Sequence, residues 1–162
     1  MDKIWAPWRS KYILNSEKEE GCIFCNRLQK EDDRANYILY RGDHSFMIMN
    51  IYPYNNGHLM VAPYRHTSHL SDLTGTEGQD LFKTMEMSVR ILKDSLKPDG
   101  FNLGMNLGKV GGAGVEDHLH MHVVPRWNGD TNFMPVLSDT KIISVSLDEM
   151  YMLLKQGLEK LS

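Results

Sequence analysis

Three of the chain's seven histidines fall on alternate positions of one short run, His118-Leu119-His120-Met121-His122-Val123-Val124. Strict alternation with apolar residues is the pattern of a half-buried strand, whose successive side chains point to opposite faces. Leu119, Met121 and Val123 are therefore expected on a core face, and the three imidazoles on the other, aimed at solvent. Neighbours in such a row lie about 6.5–7 Å apart along the strand. Without a strong bend one metal ion could take two of them but not all three, and a metal site on the triplet would need a further ligand from another strand. Imidazole is also the side chain whose charge and nucleophilicity are tuned most easily near neutral pH. A single histidine on a strand face is most often a hydrogen-bonded surface group. Three in register, directly behind the glycine-rich run Gly108-Lys109-Val110-Gly111-Gly112-Ala113-Gly114, point to a site. Glycines let the backbone approach an anion and aim N–H groups at it. With Asn106 at its start, this loop reads as a phosphate cradle.

The rest of the chain supports a small α+β fold with a mostly antiparallel sheet and two main helices. Residues 37–53 read as a hairpin turning at Arg41-Gly42-Asp43, and 58–63 as a short strand ending at Pro63. Leu81, Met85, Val89 and Leu92 recur at helical spacing within a predicted helix, Thr76–Leu96, closed by Pro98 and Gly100. Residues 101–108 and 119–125 read as strands, and Ser146–Leu161 as the last helix. The expected organisation is one domain over 1–162, with 1–20 as an N-terminal arm that packs by Trp5, Trp8 and Tyr12. The formal charge is −3, which offers no basic field for nucleic acid. No run approaches the roughly 18 apolar residues of a membrane span, and the N-terminus lacks the apolar core of a signal peptide. These features lead us to expect a cytoplasmic protein.

The histidine run matches in full the signature of the histidine triad (HIT) superfamily, His-φ-His-φ-His-φ-φ with φ apolar. The segment MIMNIYPYNNGHLMVAPYRH is similar to the nucleoside-holding stretch of that family, and IWAPWRSKYI and HVVPRWNGDTNF extend the likeness over most of the chain. Those flanks resemble most the bacterial branch related to diadenosine tetraphosphate (Ap4A) phosphorylases. The resemblance implies a HIT-like fold, a homodimer, and a nucleotidyl transferase or hydrolase that cleaves dinucleoside polyphosphates through a covalent nucleotidyl-histidine. Phosphorolysis of Ap4A to ADP and ATP is the favoured version. The alternatives are hydrolysis of Ap4A or of a nucleoside phosphoramidate, and a nucleotide-binding regulatory module without turnover. The resemblance also implies site roles. His120 would be the nucleophile, with His122 and His58 beside the phosphate. Asn50 would hold the ribose, and Asn106 with the backbone at Gly112 and Gly114 the phosphate oxygens. Trp127 would wall the site, unless it is a core or interface aromatic. Many relatives carry a hydroxyl in the loop before the triad; here Gly112-Ala113-Gly114-Val115-Glu116-Asp117 has none and brings two acids instead.

Cys22 and Cys25 are the only cysteines, and Cys-x-x-Cys is the spacing of a zinc half-site. Some branches of the family complete such a pair with two histidines, which here are His66 and His118. The implied site is closed, Cys₂His₂ and structural, with zinc as the metal and no organic cofactor. It would leave His120 free for chemistry. His69 competes with His66 as a ligand, and His44 more weakly. The bland reading is a pair of reduced, buried thiols. A thioredoxin-like redox pair fits less well, because no strand–helix–strand pattern surrounds it.

Overall fold

The computed structural model describes residues 20–130 and 143–161. The expected N-terminal arm, with Trp5, Trp8 and Tyr12, lies outside the described residues except at its last position. The sheet has five strands, β1 (Ile38–Arg41), β2 (Ser45–Met49), β3 (Leu59–Pro63), β4 (Gly100–Met105) and β5 (Met121–Arg126), in the order β1-β2-β3-β5-β4. Every pairing is antiparallel. Among the described residues the helices are α1 (Ile23–Leu28), α2 (Gly75–Leu96) and α3 (Leu147–Glu159), with a 3₁₀ turn at Leu70–Asp72. The α+β architecture, its antiparallel sheet and its two long helices agree with the sequence reading. No helix among the described residues is long and apolar enough to cross a membrane.

The period of two along β2 and β3 divides the core. Met47, Met49, Leu59 and Val61 join Val123 of β5 against Leu81, Met85, Ile91 and Leu92 of α2 and Met150, Tyr151 and Leu154 of α3. The alternate residues Phe46, Ile48, Met60 and Ala62 face the other way and meet Phe24 of α1. β2 and β3 are thus buried on both faces. His122 is the register partner of Met60, so it emerges on the α1 face, opposite the two long helices.

Local chemistry sets the ends. α2 opens on a capping box, in which Thr74 accepts from the Glu77 N–H and Glu77 from the Thr74 N–H. It closes at Lys97 in the left-handed region, just before Pro98. α3 uses the same box, between Ser146 and Glu149. The turn before His58 depends on Gly57, whose φ is +75° and whose absent Cβ would lie 2.6 Å from Leu96 Cδ1. Pro125 is tolerated inside β5 because β3 pairs only with Met121–Val123. Beyond that point the Pro125 carbonyl accepts instead from the Asn55 side chain, at 3.0 Å.

α1 was not legible in the sequence, because six residues are too few for a periodic signal. The triad strand needs a correction as well. The β5 ladder begins at Met121, so His122 alone of the three histidines stands on a strand. The ladder stops at Met121 on both sides, against Val61 of β3 and against Met105, the last residue of β4, so residues 118–120 lie outside it. Their polar groups turn elsewhere: the Leu119 N–H donates to the Thr67 carbonyl at 2.7 Å. Nor do the imidazoles face solvent. His118, His120 and His122 are 1%, 3% and 9% exposed.

Candidate active site and metal cluster

Freed from the ladder, the three imidazoles take different environments, and the backbone dictates the tautomer of each. His120 Nδ1 lies 2.8 Å from the His118 carbonyl. A carbonyl only accepts, so the neutral ring carries its proton on Nδ1 and keeps a lone pair on Nε2. His58 has the opposite arrangement. Its Nδ1 accepts from the Tyr54 backbone N–H at 3.0 Å, and the Asn50 amide nitrogen lies 3.3 Å from the same atom. The proton of neutral His58 therefore sits on Nε2, from which it is donated to His122 Nδ1 at 2.9 Å. His122 in turn is left with an Nε2–H. The rings of His120 and His122 meet edge to face with centroids 4.9 Å apart. A nucleophilic nitrogen and an N–H donor are thus built side by side without an ionised group. That pair can attack phosphorus and stabilise charge on the phosphoryl oxygens.

Burial keeps the cluster neutral. Desolvation, reinforced by His122 and His120, pulls His58 down from 6.5 to about 3. Desolvation with His120 beside it pulls His122 down to about 4. Burial also lowers His120, against the hydrogen bond to His118. In the unfolded chain these imidazoles take up protons near 6.5, whereas the native pair resists protonation. Stability present above pH 6.5 is therefore lost as the pH falls from there toward 4 and below. Between pH 7 and pH 5 the unfolding free energy should drop by about 2 kcal/mol for each of His58 and His122. Denaturant titrations over that range test this, and His58→Asn should flatten the slope. A profile that does not bend, or is unchanged by the substitution, would contradict it.

The remaining expected residues divide. Asn50 turns back on its own loop, its oxygen accepting from the Tyr52 N–H at 2.9 Å and its nitrogen facing His58. Asn106 donates to the Gly112 carbonyl at 3.3 Å, and the Gly112 N–H donates to the Lys109 carbonyl. Gly112 thus shapes the loop with both its polar groups, at a φ of +88°. Gly114 is exposed, as are Glu116 and Asp117, while Val115 between them packs against the Phe24 cluster and turns the acids outward. Trp127 is half-buried, with its backbone N–H donating to Asp130, the same carboxylate that pairs with Arg126 and Asn55. Arg126 is committed to that pairing and to Asn102.

Sequence reasoning missed Tyr54. It holds His58 through its backbone, which no side-chain pattern announces, while its half-exposed ring lies 4.6 Å from His58 and 5.5 Å from His122. Phe24, between the two cysteines, was also missed.

On the other side of His118 lie Cys22, Cys25 and His66, with ligand atoms all within 4.8 Å of one another. His118 Nδ1 is 3.3 Å from Cys22 Sγ, 3.6 Å from Cys25 Sγ and 3.3 Å from His66 Nδ1. A tetrahedral zinc with ordinary bond lengths separates sulfur from nitrogen by about 3.6 Å and two nitrogens by about 3.3 Å. The spacing fits. So does the tautomer, because His118 Nε2 lies 2.9 Å from the Pro63 carbonyl and must carry the proton, leaving Nδ1 as a ligand. α1 accounts for the pairing of the thiols: Cys22 is its N-cap and Cys25 lies one turn on, on the same side. Both cysteines are free of disulfides. His69 lies outside this cluster, with its N–H on Thr67, and His44 sits at the β1–β2 turn with its N–H on Asp80.

A family model described as the HIT domain matches residues 31–129. The chain is 38% identical over 151 residues to an AP-4-A phosphorylase from Mycobacterium tuberculosis, covering 88% of this chain and 77% of that one. A bis(5'-adenosyl)-triphosphatase from Saccharomyces cerevisiae is 36% identical over 91 residues, 56% of this chain and 44% of its own. Among solved structures, a Zn-bound histidine triad family protein from Mycobacterium smegmatis superposes with a TM-score of 0.71 at 30% identity, covering 87% of this chain and 95% of that one.

Proposed function

Because the chain belongs to the HIT family, we propose that it is a nucleotidyl transferase that cleaves Ap4A by phosphorolysis. The observation that carries this reading is the tautomer of His120, whose bond to the His118 carbonyl leaves Nε2 as a lone-pair nucleophile beside the His122 donor. His120 Nε2 attacks the α-phosphorus of Ap4A, the bond from that phosphorus to the bridging oxygen breaks, and ATP departs. His122 Nε2–H donates to the phosphoryl oxygens and stabilises the charge that gathers there, and ATP departs as the anion. Inorganic phosphate then attacks the adenylyl-histidine and releases ADP, and His120 is regenerated. Asn50, His58, Asn106, Gly112, Gly114 and Trp127 form the surroundings that receive the nucleotide in this reading.

Hydrolysis is the second version, favoured by the likeness to the bis(5'-adenosyl)-triphosphatase. It differs only in the acceptor: water in place of phosphate gives AMP and ATP. Incubation with Ap4A, with and without phosphate, separates the two. Phosphorolysis predicts ADP and ATP with phosphate and little turnover without it. AMP at equal rates under both conditions would make the protein a hydrolase, and no product under either would contradict both versions.

In the same reading zinc occupies Cys22, Cys25, His66 and His118, a donor set that suits it. Bound there, the ion would be a closed structural crosslink between α1 and the segments after β3 and before β5. The protein is read as one HIT domain over 1–162, working as a homodimer in the cytoplasm, where thiols stay reduced. Among the described residues β4 has no neighbour on its outer side, an edge suited to such pairing.

A further inference from the structure

Phe24 has no exposed surface, and its ring lies 5.1 Å from the His120 ring and 5.2 Å from that of His118. The bond to the His118 carbonyl fixes one atom of the His120 imidazole but leaves the ring free to rock about that point. His122 limits the motion on one side, edge to face at 4.9 Å. Phe24 limits it on another. Phe24 stands on α1 between the two cysteines, so the element that carries two metal ligands also bears on the reactive ring.

We infer that Phe24 is a positioning residue for nucleotidyl transfer: from the cysteine-bearing helix it clamps the His120 ring in the orientation that aims Nε2 at phosphorus. The inference rests on the reading of His120 as nucleophile. A flat ring suits the task because aromatic pairs hold a preferred relative orientation, which an aliphatic side chain of similar bulk does not impose. Attack on phosphorus is sensitive to aim, and a misplacement of about 1 Å can cost about 10²-fold in rate.

The test compares Phe24→Leu and Phe24→Ala with Phe46→Leu, in the full-length, zinc-loaded protein. Phe46 belongs to the same small core cluster but packs on Phe24 and Tyr64. Three quantities are measured: the single-turnover rate of adenylyl-histidine formation from Ap4A, KM, and the nitrogen resonances of the His120 ring. Phe24→Leu is expected to slow the single-turnover step about tenfold with little change in KM or zinc content. The His120 resonances should broaden or shift from the pure Nδ1–H form. Phe46→Leu should lower the melting temperature and leave the rate within about twofold. Phe24→Leu at the wild-type rate, or equal slowing in both leucine variants, would overturn the clamp. If Phe24→Ala fails to fold, the leucine pair still decides. His120→Ala run in parallel separates the two levels: full activity there sinks the nucleophile itself, whereas loss of activity there with Phe24→Leu unimpaired sinks only the clamp.

Discussion

His120→Ala should abolish Ap4A cleavage, lowering kcat by at least about 10⁴-fold, the scale on which enzymes lose rate when a covalent nucleophile is removed. The size of the effect follows from the division of labour among the imidazoles. His122 is tied through Nδ1 to His58, and His118 through Nε2 to Pro63, with Nδ1 turned to the cysteines. Neither can take over as nucleophile without breaking a buried hydrogen bond. The fold should survive, because His120 donates its one hydrogen bond to an adjacent carbonyl and lies outside the ladder. The variant should therefore remain folded, with a lower melting temperature from the cavity left beside Phe24, and bind nucleotide with similar affinity while differing in turnover. Residual cleavage above about one hundredth of wild type would be too fast for this assignment. Equal affinity with no turnover in either protein would favour a nucleotide-binding regulatory module.

Removing zinc from the proposed Cys₂His₂ site, or one of the site's thiolates, should have the largest effect on stability. The Cys₂His₂ cluster joins α1 to His66, just beyond β3, and to His118, just before β5. Structural zinc sites contribute folding free energy outright. Cys25→Ala should cost on the order of 3 kcal/mol or more, since it leaves an incomplete site under a buried histidine. A strong chelator should lower the melting temperature of the wild type by a comparable amount. The same chelator should leave Cys25→Ala unchanged, because its site is already broken. Activity should decline in step with unfolding. Immediate loss of activity from a still-folded protein would mean that the metal takes part in the chemistry, and an unchanged melting temperature would mean that it holds nothing together.

Periodicity made the scaffold readable. Leu81, Met85 and Leu92 announced α2, and Leu147, Met150 and Leu154 announced α3, because a buried helical stripe must recur every three or four residues. The Cys-x-x-Cys spacing and the two histidines named for it also came together in space. What stayed hidden was carried by the backbone. The sequence HLHMHVV alternates as a strand should, yet the ladder stops at Met121 on both sides, and His118 and His120 turn inward. That turn is what gives the two imidazoles different partners, the cysteines for His118 Nδ1 and the His118 carbonyl for His120 Nδ1. No pattern of side chains could reveal it, because the deciding groups are the carbonyls of Pro63 and His118 and the N–H of Tyr54. Phe24 carries no signal either, because an apolar residue between two cysteines reads as helix packing, and its contact with His120 spans about a hundred residues of sequence.

The most direct measurement is to quench the protein during turnover of Ap4A labelled in its α-phosphate and map the labelled peptide. The expected result is one acid-labile adenylyl group per chain, on the His120 ring nitrogen, that forms and decays fast enough to account for turnover. Label on another residue, or steady cleavage with no protein-bound nucleotide at any quench time, would contradict it.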